Sequence, residues 1–193
     1  MDITQQGLDQ LLSALEEQLR TRDARLEIVV IGGSALLALG LVTRPTRDVD
    51  IVALAEAGEL IPASPLPDVL RAAGDRVARD FGLDADWLNA GPTDLLRWGL
   101  PEDFWARVVT RRYGNALTVH FAGRLDQIHF KFYAMVDQAG GRHEADLRAL
   151  QPTREELVAA ARWSTTHDPS PGYRAMLARA LEQLGVVDVD LGA

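Results

Sequence analysis

Residues 26–54 read LEIVVIGGSALLALGLVTRPTRDVDIVAL. The run Glu27-Ile28-Val29-Val30-Ile31 is rich in β-branched side chains and stops at Gly32-Gly33, the pattern of a buried strand that ends in a turn. SALLALGL follows as a short apolar helix, with Ser34 expected at its N-cap, where a small hydroxyl satisfies a free backbone N–H. After the connection Thr43-Arg44-Pro45-Thr46, a second apolar run carries Asp48 and Asp50 among Val49, Ile51, Val52 and Leu54. If residues 48–53 form a strand, its period of two puts both aspartates on one face and Val49 and Ile51 on the other. The expected unit is therefore strand, helix, strand.

Two carboxylates at i and i+2 lie about 7 Å apart at their Cα atoms, close enough to converge on one hard cation or two neighbouring ones. Oxygen ligands of this kind suit Mg²⁺ or Mn²⁺, and burial among apolar neighbours is costly without such a partner. Glycines let a phosphate approach the backbone closely, and a helix start offers free N–H groups. Alone, Gly-Gly-Ser is commonly a plain turn and Asp-x-Asp a solvated strand edge. Their order on consecutive elements is what a metal-dependent nucleotidyl-transfer site needs.

The sequence Gly-Gly-Ser, a helix, then Arg47-Asp48-Val49-Asp50-Ile51-Val52 resembles the minimal nucleotidyltransferases of the polymerase-beta-like superfamily. Within it, the chain looks most like the abortive-infection (AbiEii-type) and related toxin-like bacterial enzymes, including a family of unknown function. Further similarity lies in Asp86-Trp87-Leu88-Asn89, in His129 to Asp137 around Lys131, and in His143 to Leu150 around Asp146, so that it covers about residues 26–150. The resemblance implies that Gly32, Gly33 and Ser34 hold the nucleotide phosphates and that Asp48 and Asp50 hold the metal. It also implies that Lys131 meets the triphosphate and that Asp146 serves as third carboxylate or base. One departure stands out: the strand expected at 116–122 carries Thr118 and His120 and no acid, where many relatives place their third carboxylate.

The residues themselves leave some of these roles open. Lys131 sits in an apolar helical segment, 127–138, so it either snorkels to water or meets an anion. Glu144 and Asp146 in the first turn of a helix also offset its dipole. Arg44 and Arg47 flank the aspartates and would neutralise phosphate or pair with local acids, with Arg47 favoured because it adjoins Asp48. His120, His129, His143 and His167 show no zinc spacing, and the absence of cysteine excludes thiolate chemistry and disulfides. His129 reads as a packed or rim residue two positions from Lys131. Trp87, Trp98 and Trp105 read as core or as base-stacking surfaces. Arg107, Arg111, Arg112 and Arg124 read as an RNA-gripping patch or a solvated face.

Composition is that of an ordinary globular chain: 193 residues, 47% hydrophobic and 25% charged, with a formal charge of −8 that argues against a generic nucleic-acid coat. No leader pattern or bilayer-length apolar run is read, and a cytoplasmic setting with no membrane partner is expected. Helices are expected at 9–20, 66–79, 153–162 (opened by the Thr153-x-x-Glu156 capping box) and 173–184, with strands at 116–122 and 107–110. The expected fold is α+β, a small mixed sheet with flanking helices and a helical C-terminal part. Residues 1–150 would form the nucleotidyltransferase-like domain, with 151–193 packed on it.

The leading expectation is a Mg²⁺-dependent enzyme moving a nucleoside monophosphate from a triphosphate to a hydroxyl. By resemblance, the acceptor is a tRNA 3′ end or a protein side chain, with a cognate antitoxin as partner. The alternatives are a module that binds nucleotide or protein without turnover, and an aminoglycoside-type transferase acting on a small molecule.

Overall fold

The computed structural model describes residues 2–138 and 141–191. It is α+β, with a six-stranded mixed sheet and flanking and C-terminal helices. The chain divides into two units. One holds the residues up to Leu100 together with Trp105–Ala122, the other Pro101–Phe104 together with the residues from Gly123 on.

The first unit opens with α1 (Gln5–Arg20), capped by the Thr4 hydroxyl, which accepts from the Gly7 N–H at 3.2 Å. Leu8, Leu11, Leu12, Leu15 and Leu19 recur at helical spacing and are all buried. Then come β1 (Leu26–Ile31), α2 (Gly32–Ala38), β2 (Val49–Glu56) and β3 (Glu59–Pro62). Next are α3 (Asp68–Phe81), β4 (Leu88–Asn89), α4 (Asp94–Trp98), α5 (Phe104–Arg107), β5 (Val109–Tyr113) and β6 (Leu117–Phe121). The sheet order is β3-β2-β1-β6-β5, with β4 also on β2. β1 is antiparallel to β2 and parallel to β6, so the strand before the glycine turn lies at the sheet's centre.

Ile28, Val30, Val49, Ile51, Val119 and Phe121 point to one face and form a single core with the leucines of α1 and with Leu70, Ala73 and Val77 of α3. Each such side chain contributes about 1.5–3 kcal/mol on burial. Period two then places Glu27, Val29, Ile31, Asp50 and His120 on the opposite face.

The second unit contains α6 (Arg124–Asp137), α7 (Arg142–Ala149), α8 (Arg154–Thr165) and α9 (Pro171–Gln183). Helices α6 and α7, which the sequence reading joined to the first domain, cluster here with the C-terminal helices. The expected capping box opens α8: Thr153 accepts from the Glu156 N–H, and Glu156 accepts from the Thr153 N–H. Pro171 is the first residue of α9 behind the Ser170 cap, a position where its missing N–H costs nothing. No helix among the described residues is long and apolar enough to cross a membrane.

Candidate active site

Asp50 lies in β2, opposite Ile31 of β1 and Asn89 of β4, and Asp48 lies two residues earlier at the strand's entrance. Val49 and Ile51 are fully buried while both aspartates are half-buried, the alternation expected of a strand with one wet face. Each carboxylate accepts from another side chain, a neighbour for Asp48 and a distant one for Asp50. The Thr46 hydroxyl donates to Asp48 Oδ1 at 3.1 Å, and Asn89 Nδ2 donates to Asp50 Oδ1 at 3.1 Å. Asn89 is held in turn, because its Oδ1 accepts from the Gly91 N–H at 2.9 Å.

The glycine turn closes on this pair. Gly32 has φ +76°, and a Cβ there would sit 2.5 Å from Asp50 Oδ2. A Cβ on Gly33 would sit 2.6 Å from Thr46 Oγ1, so Asp50 and the threonine that holds Asp48 both leave room only for glycine at the turn. The cation at this turn is Arg44, with a guanidinium nitrogen 3.8 Å from the same Gly33 position. Arg47, favoured from sequence, is four-fifths exposed and faces Asp2 at 3.8 Å.

Ser34 is not the N-cap. Helix α2 starts at Gly32 with Ile31 as the cap, three residues before the expected one, because the glycine takes the sharp turn itself. Ser34 is fully buried in the first turn, and its hydroxyl donates back to the Ile31 carbonyl at 3.4 Å.

In the helical unit, the anion that Lys131 meets is Asp146: Nζ and Oδ2 are 2.8 Å apart, and the residues are 5% and 1% exposed. His129 is packed, donating from Nδ1 to the Leu125 carbonyl at 2.8 Å and meeting Trp163 edge-on. Arg124 is tied to the Leu150 carbonyl and to both carboxylate oxygens of Glu156, whose pKa it lowers chiefly through that hydrogen bond.

In the first unit, Arg111 donates to the Ala38 carbonyl, faces Asp9 at 3.5 Å and lies over the Phe121 ring. The basic run read from sequence is therefore partly structural wiring. Trp87 is core, donating from Nε1 to the Gly74 carbonyl, while Trp98 and Trp105 are exposed. Thr46 and Asn89 are the site residues to which the sequence gave no role, although the Asp86-Trp87-Leu88-Asn89 similarity pointed toward Asn89. Arg44 was read there only as one of two arginines beside the aspartates, with Arg47 preferred.

Neither the curated proteins nor the solved structures give a match to this chain. Residues 6–139, which hold the glycine turn, both aspartates, Asn89 and Lys131, match the family model described as nucleotidyltransferase of unknown function (DUF6036), and the chain belongs to that family.

Proposed function

We propose that the protein moves a nucleoside monophosphate from a nucleoside triphosphate onto a hydroxyl in a Mg²⁺-dependent reaction at Asp48 and Asp50. The observation that carries this reading is the pair itself: two carboxylates two residues apart, each oriented by a side-chain donor, against a turn with no room for a side chain. Two hard oxygen donors fit Mg²⁺ or Mn²⁺, which take their other ligands from substrate phosphates and water. Such an ion would neutralise charge on the phosphates and on the leaving pyrophosphate.

The chain's own part is binding and orientation. Thr46 and Asn89 hold the carboxylate rotamers in place before substrate arrives. Gly32 and Gly33 let a phosphate oxygen reach the backbone, Ser34 ties the turn to Ile31, and Arg44 supplies positive charge beside it. We read Lys131 and Asp146 as a pair that fastens α6 to α7. Acceptor identity follows the toxin-like, AbiEii-type resemblance: a tRNA 3′ end or a protein side chain, in a cytoplasmic setting with a cognate antitoxin.

A second reading, a nucleotide- or partner-binding module without turnover, is favoured by one feature. β6 carries Thr118 and His120 and no acid, and Asp146 is already neutralised by Lys131.

The test is incubation with each of four α-labelled ribonucleoside triphosphates, Mg²⁺ and total bacterial RNA and protein, beside Asp48→Ala/Asp50→Ala. Label entering a macromolecule only with the intact pair supports the transferase and names its acceptor. Label in a small molecule moves the reading to an aminoglycoside-type enzyme. Triphosphate binding without any transfer favours the inactive module.

A further inference from the structure

Away from the aspartates, three strands contribute one hydrogen-bonded row. Thr110 of β5 stands directly opposite His120 of β6, and His120 opposite Val29 of β1, so Thr110, His120 and Glu27 share a sheet face. The Thr110 hydroxyl donates to His120 Nδ1 at 2.8 Å, and His120 Nε2–H donates to Glu27 Oε2 at 2.9 Å. A carboxylate on one ring nitrogen sets the tautomer whose other nitrogen accepts a proton, which is the arrangement of a base that activates a hydroxyl.

The surroundings suit a group-transfer acceptor. The imidazole is buried with the Trp105 ring 4.7 Å away, while Thr110 is exposed on β5, the edge strand of the sheet. Trp105 is 39% exposed and offers an aromatic face beside the imidazole on which a base can stack. Arg112, two residues beyond Thr110 and therefore on the same face, is exposed and makes no ion pair among the described residues. Hydroxyl, base, orienting carboxylate, cation and aromatic surface stand together.

We propose that Thr110 is a self-modification site, a hydroxyl that receives a nucleotidyl group from the aspartate site of a second copy of this chain. The inference rests on the transferase reading above. The donor is another copy because β2 and β5 are three strand spacings apart, about 14 Å, beyond the reach of a triphosphate seated on Asp48 and Asp50. An edge strand leaves Thr110 open to that approach. In the step, Thr110 Oγ1 attacks the α-phosphorus. The new O–P bond forms as the bond to pyrophosphate breaks, and pyrophosphate leaves with its electron pair. The hydroxyl proton passes to His120 Nδ1, the resulting imidazolium is held by Glu27, and the proton is then released to water. Arg112 offsets charge on the transferred phosphate.

The test mixes the intact chain with a tagged copy carrying Asp48→Asn/Asp50→Asn, Mg²⁺ and each α-labelled triphosphate, and maps the tagged copy by peptide mass spectrometry. The expected result is one nucleoside monophosphate on Thr110 of the tagged copy, absent in a tagged Thr110→Val and restored in Thr110→Ser. In a tagged His120→Gln its formation slows by about a hundredfold. An adduct at another residue, or one undiminished in His120→Gln, overturns the proposal. Label on RNA or another protein with Thr110 unmodified overturns it and leaves the transferase reading standing. So does a chain that binds triphosphate in calorimetry and never acquires the adduct. A chain that binds no triphosphate overturns the transferase reading, and this inference falls with it.

Discussion

Replacing Asp146 by alanine should unfold the helical unit more readily than any surface change, because it strands a buried ammonium. Lys131 Nζ has Asp146 Oδ2 at 2.8 Å as its only ion-pair partner among the described residues, and it is 5% exposed. Breaking a buried pair from one side costs about 3–5 kcal/mol. At 2–4 °C per kcal/mol for a chain of this size, that lowers Tm by about 10 °C.

The double variant Lys131→Met/Asp146→Leu removes both charges at similar volume and should recover to within about 1 kcal/mol of the intact chain. Urea unfolding is the assay, followed by the fluorescence of Trp163, which packs on His129, Phe130 and Tyr133 of α6. The reasoning is refuted if Asp146→Ala loses less than about 1 kcal/mol, or if the double variant is as unstable as the sum of its singles. Unchanged stability together with lost transfer would instead return Asp146 to the chemistry.

Three further outcomes follow from the geometry. Gly32→Ala forces a side chain into φ +76° with its Cβ 2.5 Å from Asp50 Oδ2, and should lose about 1–3 kcal/mol of stability in urea as well as triphosphate binding by calorimetry; retention of both would contradict the close approach. Asn89→Asp replaces the donor to Asp50 with a like charge, so nucleotidyl transfer should fall by about tenfold or more while unfolding changes little; undiminished transfer would count against Asn89 as the group that orients Asp50. Glu156 has its pKa lowered in the fold by Arg124, so its contribution is present above the ordinary glutamate value of about 4.3 and is lost as pH falls through the lower folded-state value. Glu156→Gln should therefore flatten the acid-side loss of stability below that pH in urea titrations, and an unchanged acid limb would refute the linkage.

How far the sequence could be read follows from how local each signal is. β1, the glycine turn and the Asp48/Asp50 alternation were legible because period two and β-branched composition are properties of a few adjacent residues. The same is true of the Thr153/Glu156 capping box. Ser34 was misplaced because a glycine at positive φ can itself start a helix, a backbone choice that residue type alone does not reveal. Asn89 reaches Asp50 across 39 residues of chain, and Thr110, His120 and Glu27 meet only once three strands are in register. Lys131 was expected either to snorkel or to meet an anion, and that it pairs with Asp146 depends on how α6 packs on α7, which no spacing encodes.

The account's central claim is that Asp48 and Asp50 hold a metal-bound triphosphate. Calorimetric titration of each nucleoside triphosphate into the full chain, with Mg²⁺ and with chelator, tests it most directly beside Asp48→Asn/Asp50→Asn. The account predicts binding of at least one triphosphate that requires Mg²⁺ and disappears in the double variant while the fold is retained. Binding that ignores Mg²⁺, or that survives loss of both carboxylates, would contradict it.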